Sequence, residues 1–218
     1  MRQTIPTGQW FADAAVLDAA VTGGSAAEDS ADVTRAADGA GQRWWFDSGS
    51  AALDFAYAGG FGDGPEALTT PARLGAWLVE RFPGVDTEPT ERDLVDARAL
   101  QQSVANLATA IAAGRAPGAS DVDILNLYAA TPDIPPALPG GSRQAGRSRA
   151  RVGQTLSAMA REAIEVFGAE NAERIRECAA DDCHLVFFDE SRSNNRRWCS
   201  MQRCGNRAKV RAHRARTS

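Results

Sequence analysis

The C-terminal part of the chain contains two cysteine pairs with the same internal spacing, Cys178-Ala-Ala-Asp-Asp-Cys183 and Cys199-Ser-Met-Gln-Arg-Cys204. These are the only cysteines in the sequence, and a hairpin-sized insert separates the two pairs. Zinc prefers four ligands in a tetrahedron, and two short-range thiolate pairs provide that arrangement. Soft thiolates favour zinc over magnesium or calcium, which take oxygen ligands. The sequence therefore predicts one structural zinc ion bound by these four cysteines.

Two alternatives explain the cysteines less well. A disulfide framework needs an oxidising compartment, and the N-terminus does not resemble a secretory signal. Two unrelated pairs of buried cysteines would have no reason to share the same spacing. We therefore expect reduced thiols and a cytoplasmic location. No segment approaches the run of roughly 18 apolar residues that a membrane span requires, so we expect no membrane partner.

The residues between and after the cysteines carry a family resemblance. The segments Leu185-Val-Phe-Phe-Asp189, Arg196-Arg-Trp-Cys-Ser-Met201 and Cys204-Gly-Asn-Arg207 resemble the CGNR zinc finger, over roughly residues 174–216. Members of that family usually carry an upstream module named ABATE, which is described as a stress-induced transcription regulator, and Leu53-Asp54-Phe55 resembles its opening motif. The resemblance implies a zinc-dependent DNA-binding regulator.

Charge is distributed unevenly along the chain. Residues 1–142 contain 8 basic and 19 acidic side chains, whereas residues 143–218 contain 16 basic and 9 acidic ones. From Ser191 onward there are nine basic residues and no acidic residue. Such an asymmetry between the two halves indicates an acidic body with a basic end that docks on an anionic partner.

Hydrophobic periodicity and capping signals predict a mainly α fold with a helical N-terminal domain. We predict helices over residues 9–21, 50–58, 70–82, 90–113, 120–131 and 152–166, and either a short strand or a clamp against the core over 43–47. Residues 59–64 are predicted to be a loop, and the proline- and glycine-rich stretch 133–146 a hinge. The predicted domains are a poorly defined extension over 1–47, an ABATE-like helical domain over 48–170 and a CGNR-type zinc finger over 171–218.

The zinc module is predicted to resemble a treble clef. Residues 174–178 and 185–188 should form a β-hairpin with the first cysteine pair at its knuckle, and a helix should follow from Ser200, with a break at Gly205. So small a unit buries too little surface to fold alone, and metal binding supplies the missing free energy. Protein ligands fill all four metal positions, which indicates a structural and not a catalytic ion. His184 should point away from the metal.

The C-terminal helix is predicted to carry a basic face. Arg203, Arg207, Arg211 and Arg214 recur at steps of four, four and three, which places them on one side of a helix. Like charges in such a row repel one another, and the phosphate backbone of nucleic acid is their commonest counter-charge. The candidate nucleic-acid contacts are Arg203, Asn206, Arg207, Lys209, Arg211 and Arg214. The alternatives are a solvated cationic tail, or arginines that pair with Asp181, Asp182 or Asp189 and so brace the knuckle.

The sequence is compatible with three functions. The first is a transcription regulator that docks duplex DNA through its zinc module, while the helical domain senses a small-molecule inducer or self-associates. The second is a zinc-stabilised protein- or RNA-binding module, in which Arg192, Arg196 and Arg197 with Trp198 offer a cationic stacking surface to single strands. The third is an enzyme housed in the helical domain. The sequence shows no nucleophile–base pair and no phosphate-cradling loop, so we expect no enzymatic activity.

Overall fold

A short antiparallel hairpin opens the described part of the chain. The computed structural model describes residues 5–12, 43–58, 68–82, 84–85, 88–136 and 150–217. Strand β1 (Gln9–Ala12) pairs with β2 (Arg43–Phe46), so that Gln9 lies opposite Phe46. The predicted helix over 9–21 is therefore wrong for its first four residues, and its remainder lies outside the described residues. The predicted strand at 43–47 is confirmed.

Five helices follow the hairpin, separated in places by segments outside the described residues. They are α1 (Ala51–Ala56), α2 (Pro71–Arg81), α3 (Glu91–Ala112), α4 (Ala119–Ala130) and α5 (Val152–Val166). The predictions of these helices are confirmed, except that α4 begins earlier than the predicted residue 120, at Ala119 after the cap residue Gly118. The predicted loop at 59–64 and most of the predicted hinge lie outside the described residues.

Capping residues fix where three of these helices begin. The Ser50 hydroxyl accepts a hydrogen bond from the Leu53 N–H at the start of α1, and Thr70 does the same for Arg73 before α2. Thr90 and Asp93 form a reciprocal capping box at α3, since each side chain accepts from the other's backbone N–H. These bonds satisfy donors that the first helical turn would otherwise leave unpaired.

The C-terminal part is a hairpin followed by a helix, as predicted. A 3₁₀ turn (Ala169–Arg174) leads into strand β3 (Ile175–Glu177), which pairs antiparallel with β4 (Val186–Phe188). A π-helical turn (Met201–Gly205) then runs directly into α6 (Asn206–Thr217). The prediction of a mainly α chain that ends in a hairpin-plus-helix module with clustered cysteines is confirmed.

One continuous core connects the helical part with this C-terminal module. Phe46 and Phe55 from the helical part belong to the same buried cluster as Leu185 and Phe187 next to the cysteines. At the junction, the Phe188 N–H donates to the Ser48 carbonyl at 2.7 Å. Gly49 has a φ of +76°, and a Cβ at this position would overlap the Phe188 carbonyl oxygen. The backbones meet so closely that only glycine fits at this position.

Candidate metal centre and the adjoining helix

The four cysteine side chains converge on one point. The Sγ atoms of Cys178, Cys183, Cys199 and Cys204 all lie within 4.8 Å of one another, and all four residues are buried. Sγ–Sγ distances are 3.7 Å between Cys183 and Cys199 and 3.6 Å between Cys199 and Cys204. With zinc–sulfur bonds of about 2.3 Å, neighbouring sulfurs of a tetrahedron lie about 3.8 Å apart. The cluster therefore fits one zinc ion without rearrangement of the chain.

The first cysteine pair is held by the tip of the β3–β4 hairpin. The Cys178 N–H donates to the Leu185 carbonyl at 2.9 Å, which extends the ladder by one residue pair beyond β3. The Cys183 N–H donates to the Ala180 carbonyl at 3.0 Å and closes the turn between the two thiols. A third bond, from the Ala179 N–H to the Arg197 carbonyl at 2.9 Å, connects this turn to the segment that carries the second pair.

The second cysteine pair depends on the π-helical turn. Cys199 precedes Ser200, whose backbone is extended with φ −148° and ψ 135°, and the π-helical turn begins at the next residue. The Gly205 N–H then reaches back five residues to the Ser200 carbonyl at 3.0 Å. This wide turn brings Cys204 back towards Cys199, and π-turns of this kind are frequent at functional sites. A Cβ at Gly205 would lie 2.7 Å from the Met201 sulfur, so the turn leaves room only for glycine unless Met201 moves.

Hydrogen bonds among three of the thiols shift their pKa values in opposite directions. Bonds from Cys183 and Cys199 lower the pKa of Cys178, and the same contacts with Cys178 raise the pKa values of Cys183 and Cys199. Zinc binds cysteine as the thiolate and releases its proton, so all four side chains would be thiolates in the metal-bound cluster.

Two further groups donate hydrogen bonds to the cysteine sulfurs. The Cys199 N–H donates to the Cys178 Sγ at 3.4 Å. The guanidinium of Arg207 donates to the Cys204 Sγ at 3.3 Å and also pairs with Asp182 on the knuckle at 2.9 Å. A tetrathiolate zinc centre has a net negative charge, so a guanidinium beside it compensates that charge.

Arg196 connects the second cysteine pair to the helical part of the chain. Its guanidinium donates to the Cys199 carbonyl at 2.6 Å, to the Trp198 carbonyl at 3.1 Å and to the Asp47 carbonyl at 2.7 Å. The same group lies over the Phe187 ring, 4.3 Å from its centroid. The planar fork of arginine serves all three carbonyls together, which lysine cannot do.

Asp189 organises the loop that leads to Cys199. This fully buried carboxylate accepts hydrogen bonds from the Ser191 N–H at 2.9 Å and the Arg196 N–H at 2.8 Å. His184 is different, because its side chain is 70% exposed and its Nδ1 lies 2.8 Å from a Glu177 carboxylate oxygen. The prediction that His184 points away from the metal is confirmed.

Two protein-family models match this chain. The model of the CGNR zinc finger matches residues 174–217, and the model of ABATE, whose description is "Putative stress-induced transcription regulator", matches residues 49–170. The chain belongs to the ABATE family. A search of curated proteins gave no match to it. The CGNR match and the four converging thiols together identify the cysteine cluster as the site of one structural zinc ion.

The ABATE region places its motif Leu53-Asp54-Phe55 at the junction with the N-terminal hairpin. The buried Asp54 carboxylate accepts hydrogen bonds from the Gly8 N–H and from the Ser48 N–H, the latter at 3.2 Å. Burial raises the pKa of Asp54 to about 6 despite these bonds. The acidic residue of the motif therefore holds β1 and the residues after β2 against α1.

The CGNR finger projects its C-terminal helix into solvent. None of the residues of α6 is buried. Two of the predicted basic residues turn back to the knuckle: Arg207 pairs with Asp182, and Arg211 lies 3.3 Å from Asp182 and 3.6 Å from Asp181. The prediction that arginines could brace the knuckle against these aspartates is confirmed for both residues.

The other predicted contacts of the CGNR finger lie in different surroundings. Arg203, in the π-helical turn, lies over the Trp44 ring of β2 at 4.8 Å from its centroid. The Asn206 amide donates to the Gln202 carbonyl at 3.3 Å, and its side chain is exposed. Lys209 and Arg214 are exposed on α6. Some of the predicted nucleic-acid contacts therefore interact with other residues of the protein, and the others face solvent on α6.

Several residues that position the ABATE and CGNR regions were missed by sequence reasoning. Glu162 on α5 accepts hydrogen bonds from the Ala51 and Ala52 N–H groups at 2.9 and 2.5 Å, and so caps α1 from a distant helix. Arg196 was assigned only to a stacking surface. Neither role could be found from local signals alone, since Glu162 bonds Ala52 over 110 positions and Arg196 bonds Asp47 over 149 positions. Among the described residues, no helix combines the length and apolar character needed to cross a bilayer.

Proposed function

We propose that this chain is a zinc-dependent transcription regulator that binds duplex DNA through α6. The observation that carries the proposal is the composition and exposure of this helix. Its 12 residues include five basic side chains and no acidic one, and none of them is buried. A helix with no packed face has no role in the core, and its charge favours a polyanion.

Lys209, Arg214 and Arg216 supply the phosphate contacts in this proposal. All three are exposed: Lys209 lies between the two arginines that contact the knuckle, and Arg214 and Arg216 lie beyond them on α6. Arg207 and Arg211 contribute positive potential while they remain paired with the knuckle, and Arg203 contributes from its place over Trp44. Phosphate contacts give affinity and salt dependence, whereas a side chain such as Asn206 would provide base selectivity.

Zinc has a positioning role in the proposed function. The ion would hold Cys204 in the π-helical turn, immediately before the first residue of α6. Loss of the metal removes the cross-link between that turn and the knuckle, so the helix loses its fixed direction. DNA affinity is then expected to depend on bound zinc, although the metal does not contact DNA.

The acidic helical part is proposed to regulate DNA binding by the CGNR finger, either by binding an inducer or by self-association. Support comes from the direct contacts between the two parts. The Tyr57 hydroxyl, the Ser48 carbonyl and the Trp44 ring all contact residues of the CGNR finger. A ligand that changed the position of β2 or α1 would therefore act on the finger through packed side chains.

A fluorescence anisotropy titration with a randomised duplex tests the proposal. Zinc-loaded protein should bind at low salt, and the affinity should fall steeply as salt rises. The triple variant Lys209→Gln/Arg214→Gln/Arg216→Gln should bind at least tenfold more weakly, with a shallower salt dependence, on the order of one unit of log–log slope per lost phosphate contact.

The matched control removes a cation from outside the CGNR finger. Arg115→Gln changes an exposed arginine after α3 and should leave DNA binding unchanged. Zinc-loaded protein that fails to bind duplex at low salt would refute the proposal. Tighter binding of single-stranded RNA than of duplex would instead favour an RNA-binding module.

A further inference from the structure

A groove lies where the N-terminal hairpin meets the CGNR finger. Its volume is about 590 Å³, within the range of pockets that hold small organic ligands. Trp45 and Asp47 line it from the helical part, and Arg197, Trp198, Met201 and Gln202 line it from the finger. Cys199 and Arg196 form the part of the lining that adjoins the metal centre, so the zinc site fixes one wall of the groove.

The walls of the groove combine aromatic faces with a cation. Trp45 is 38% exposed, and its indole rests on Gly8, where a Cβ would overlap the ring. Trp198 is partly buried, and the Arg197 guanidinium lies over its ring at 5.2 Å from the centroid. Aromatic rings that are fixed in position by packing stack on planar ligands, and an adjacent arginine adds a positive charge that attracts phosphate.

The groove is continuous with the proposed DNA surface. Gln202 lines the groove and its carbonyl accepts a hydrogen bond from the Asn206 amide, and residues at steps of three, four and three from Asn206 share one face of α6 with it. These residues are Asn206, Lys209, His213 and Arg216, all of which are exposed. The stripe from Gln202 to Arg216 spans about 20 Å at the rise of an α-helix. It lies on a different side of the helix from Arg207 and Arg211, which face the knuckle.

We propose that this groove binds an unpaired nucleotide of a nucleic-acid strand, whose neighbouring duplex lies along α6. The base stacks on Trp45 or Trp198, and its phosphate pairs with Arg197. Asp47 offers a carboxylate to an N–H donor on the base edge, such as the N3–H of thymine, while its Oδ1 also accepts the Gly49 N–H at 2.9 Å. This inference rests on the proposed DNA binding and adds a preference for duplexes with unpaired ends or displaced bases.

The test compares a blunt labelled duplex with the same duplex carrying a short overhang of unpaired thymidines, at either the 3′ or the 5′ end. We expect one overhang to raise the affinity of zinc-loaded protein by about tenfold, as one or two stacked bases do. Trp45→Leu, which keeps apolar bulk but removes the π face, and Arg197→Gln should each abolish most of this gain. Both variants should bind the blunt duplex as the unmodified protein does.

The control variant is Arg192→Gln, which removes an exposed arginine of the same loop that does not line the groove. It should keep the full gain. If blunt duplex binds but no overhang increases affinity, the groove proposal fails while the DNA proposal stands. If duplex does not bind but single strands do so through Trp45 and Arg197, the DNA proposal fails and the groove remains.

Free thymidine monophosphate distinguishes a strand from a small ligand. Under the proposal it should bind at least a hundredfold more weakly than the overhang duplex, because it lacks the contacts along α6. Tight binding of the free nucleotide that Trp45→Leu abolishes would overturn the proposed occupant in favour of a small molecule. A gain that survives in Trp45→Leu and Arg197→Gln together would overturn the site itself.

Discussion

The Val186 N–H donates a hydrogen bond to the Tyr57 hydroxyl at 3.1 Å, and this bond joins two residues that are 129 positions apart. Tyr57 follows α1, whereas Val186 is the first residue of β4 in the CGNR finger. Burial raises the pKa of Tyr57 to about 12, so the hydroxyl stays protonated near neutral pH. The bond satisfies a buried donor of the hairpin that carries the first cysteine pair.

Tyr57→Phe should therefore destabilise the protein. The substitution leaves the Val186 N–H buried without this acceptor, which costs about 1–3 kcal/mol. Chemical denaturation of zinc-loaded protein measures the loss. Tyr128→Phe is the matched control, because Tyr128 is the only other tyrosine and lies partly exposed on α4. Equal stability of Tyr57→Phe and the unmodified protein would show that the two parts are not coupled through this bond.

Metal analysis should find one zinc ion per chain, and Cys199→Ser should lose it. Cys199 is central to the cluster, since its sulfur lies within 3.7 Å of both Cys183 and Cys204. Oxygen is a poorer ligand than thiolate in such sites, and the second pair would be broken. Mass spectrometry under native conditions, with Ser193→Ala as an exposed control from the preceding loop, measures the stoichiometry. Full zinc occupancy in Cys199→Ser would contradict the tetrathiolate assignment.

Arg196→Lys should weaken zinc binding although Arg196 is not a ligand. Lysine keeps the charge but cannot reach the Asp47, Trp198 and Cys199 carbonyls together, so at least two hydrogen bonds are lost. We expect a stability loss of about 2–4 kcal/mol and faster zinc transfer to a chromogenic chelator. Arg197→Lys, at the exposed neighbouring position, should leave both quantities nearly unchanged. Equal transfer rates for the two variants would show that Arg196 does not position Cys199.

The zinc site and the later helices were predictable because their signals are local. Cysteine spacing identified the ligands, and Thr90 with Asp93 marked the start of α3. The start of α4 was misplaced because Ser120 is a good cap residue, yet the chain uses Gly118 with no side-chain bond at all. Small offsets of this kind arise where two neighbouring residues can both begin a helix.

Features that depend on distant partners could not be predicted from the sequence. The segment from Gln9 precedes an alanine-rich stretch that favours a helix, but pairing with Trp44, Trp45 and Phe46 makes it a strand. The same limit applies to the arginines of α6. Helical spacing correctly placed Arg207 and Arg211 on one face, but only the position of the knuckle shows that this face meets Asp182. Tertiary contacts decide such cases over local propensity.

Stability should fall between about pH 4 and pH 6 as Asp54 ionises in the folded protein. Its folded pKa of about 6 lies above the ordinary value of 3.8, so the folded state binds the proton more tightly in this interval. The contribution is fully present below the unfolded pKa and is lost as pH rises through the folded one, by up to about 3 kcal/mol. Burial raises the pKa of Glu162 as well, which acts in the same direction.

Asp54→Asn isolates this contribution, because the amide does not titrate. The difference in unfolding free energy between Asp54→Asn and the unmodified protein should change across this pH interval, and Asp123→Asn, at an exposed position on α4, serves as the control. The amide also loses one acceptor towards Gly8 or Ser48, which shifts the whole curve but not its slope. A difference that is flat from pH 4 to pH 6 would place the pKa of Asp54 near its ordinary value.

Asp182→Asn should strengthen DNA binding while it slightly weakens the CGNR finger. The carboxylate pairs with Arg207 and Arg211, and all three side chains are substantially exposed, so the loss of stability should stay below about 1 kcal/mol. The variant removes a negative charge beside the cationic helix and frees two guanidinium groups for phosphates. We expect severalfold tighter binding of duplex and a steeper salt dependence, because more counterions are released. Glu173→Gln removes an exposed carboxylate from the 3₁₀ turn and serves as the charge-matched control. If Asp182→Asn instead weakened DNA binding, the ion pairs of Asp182 with Arg207 and Arg211 would be needed to orient α6 towards the DNA. Their orienting effect would then outweigh the gain from removing a negative charge.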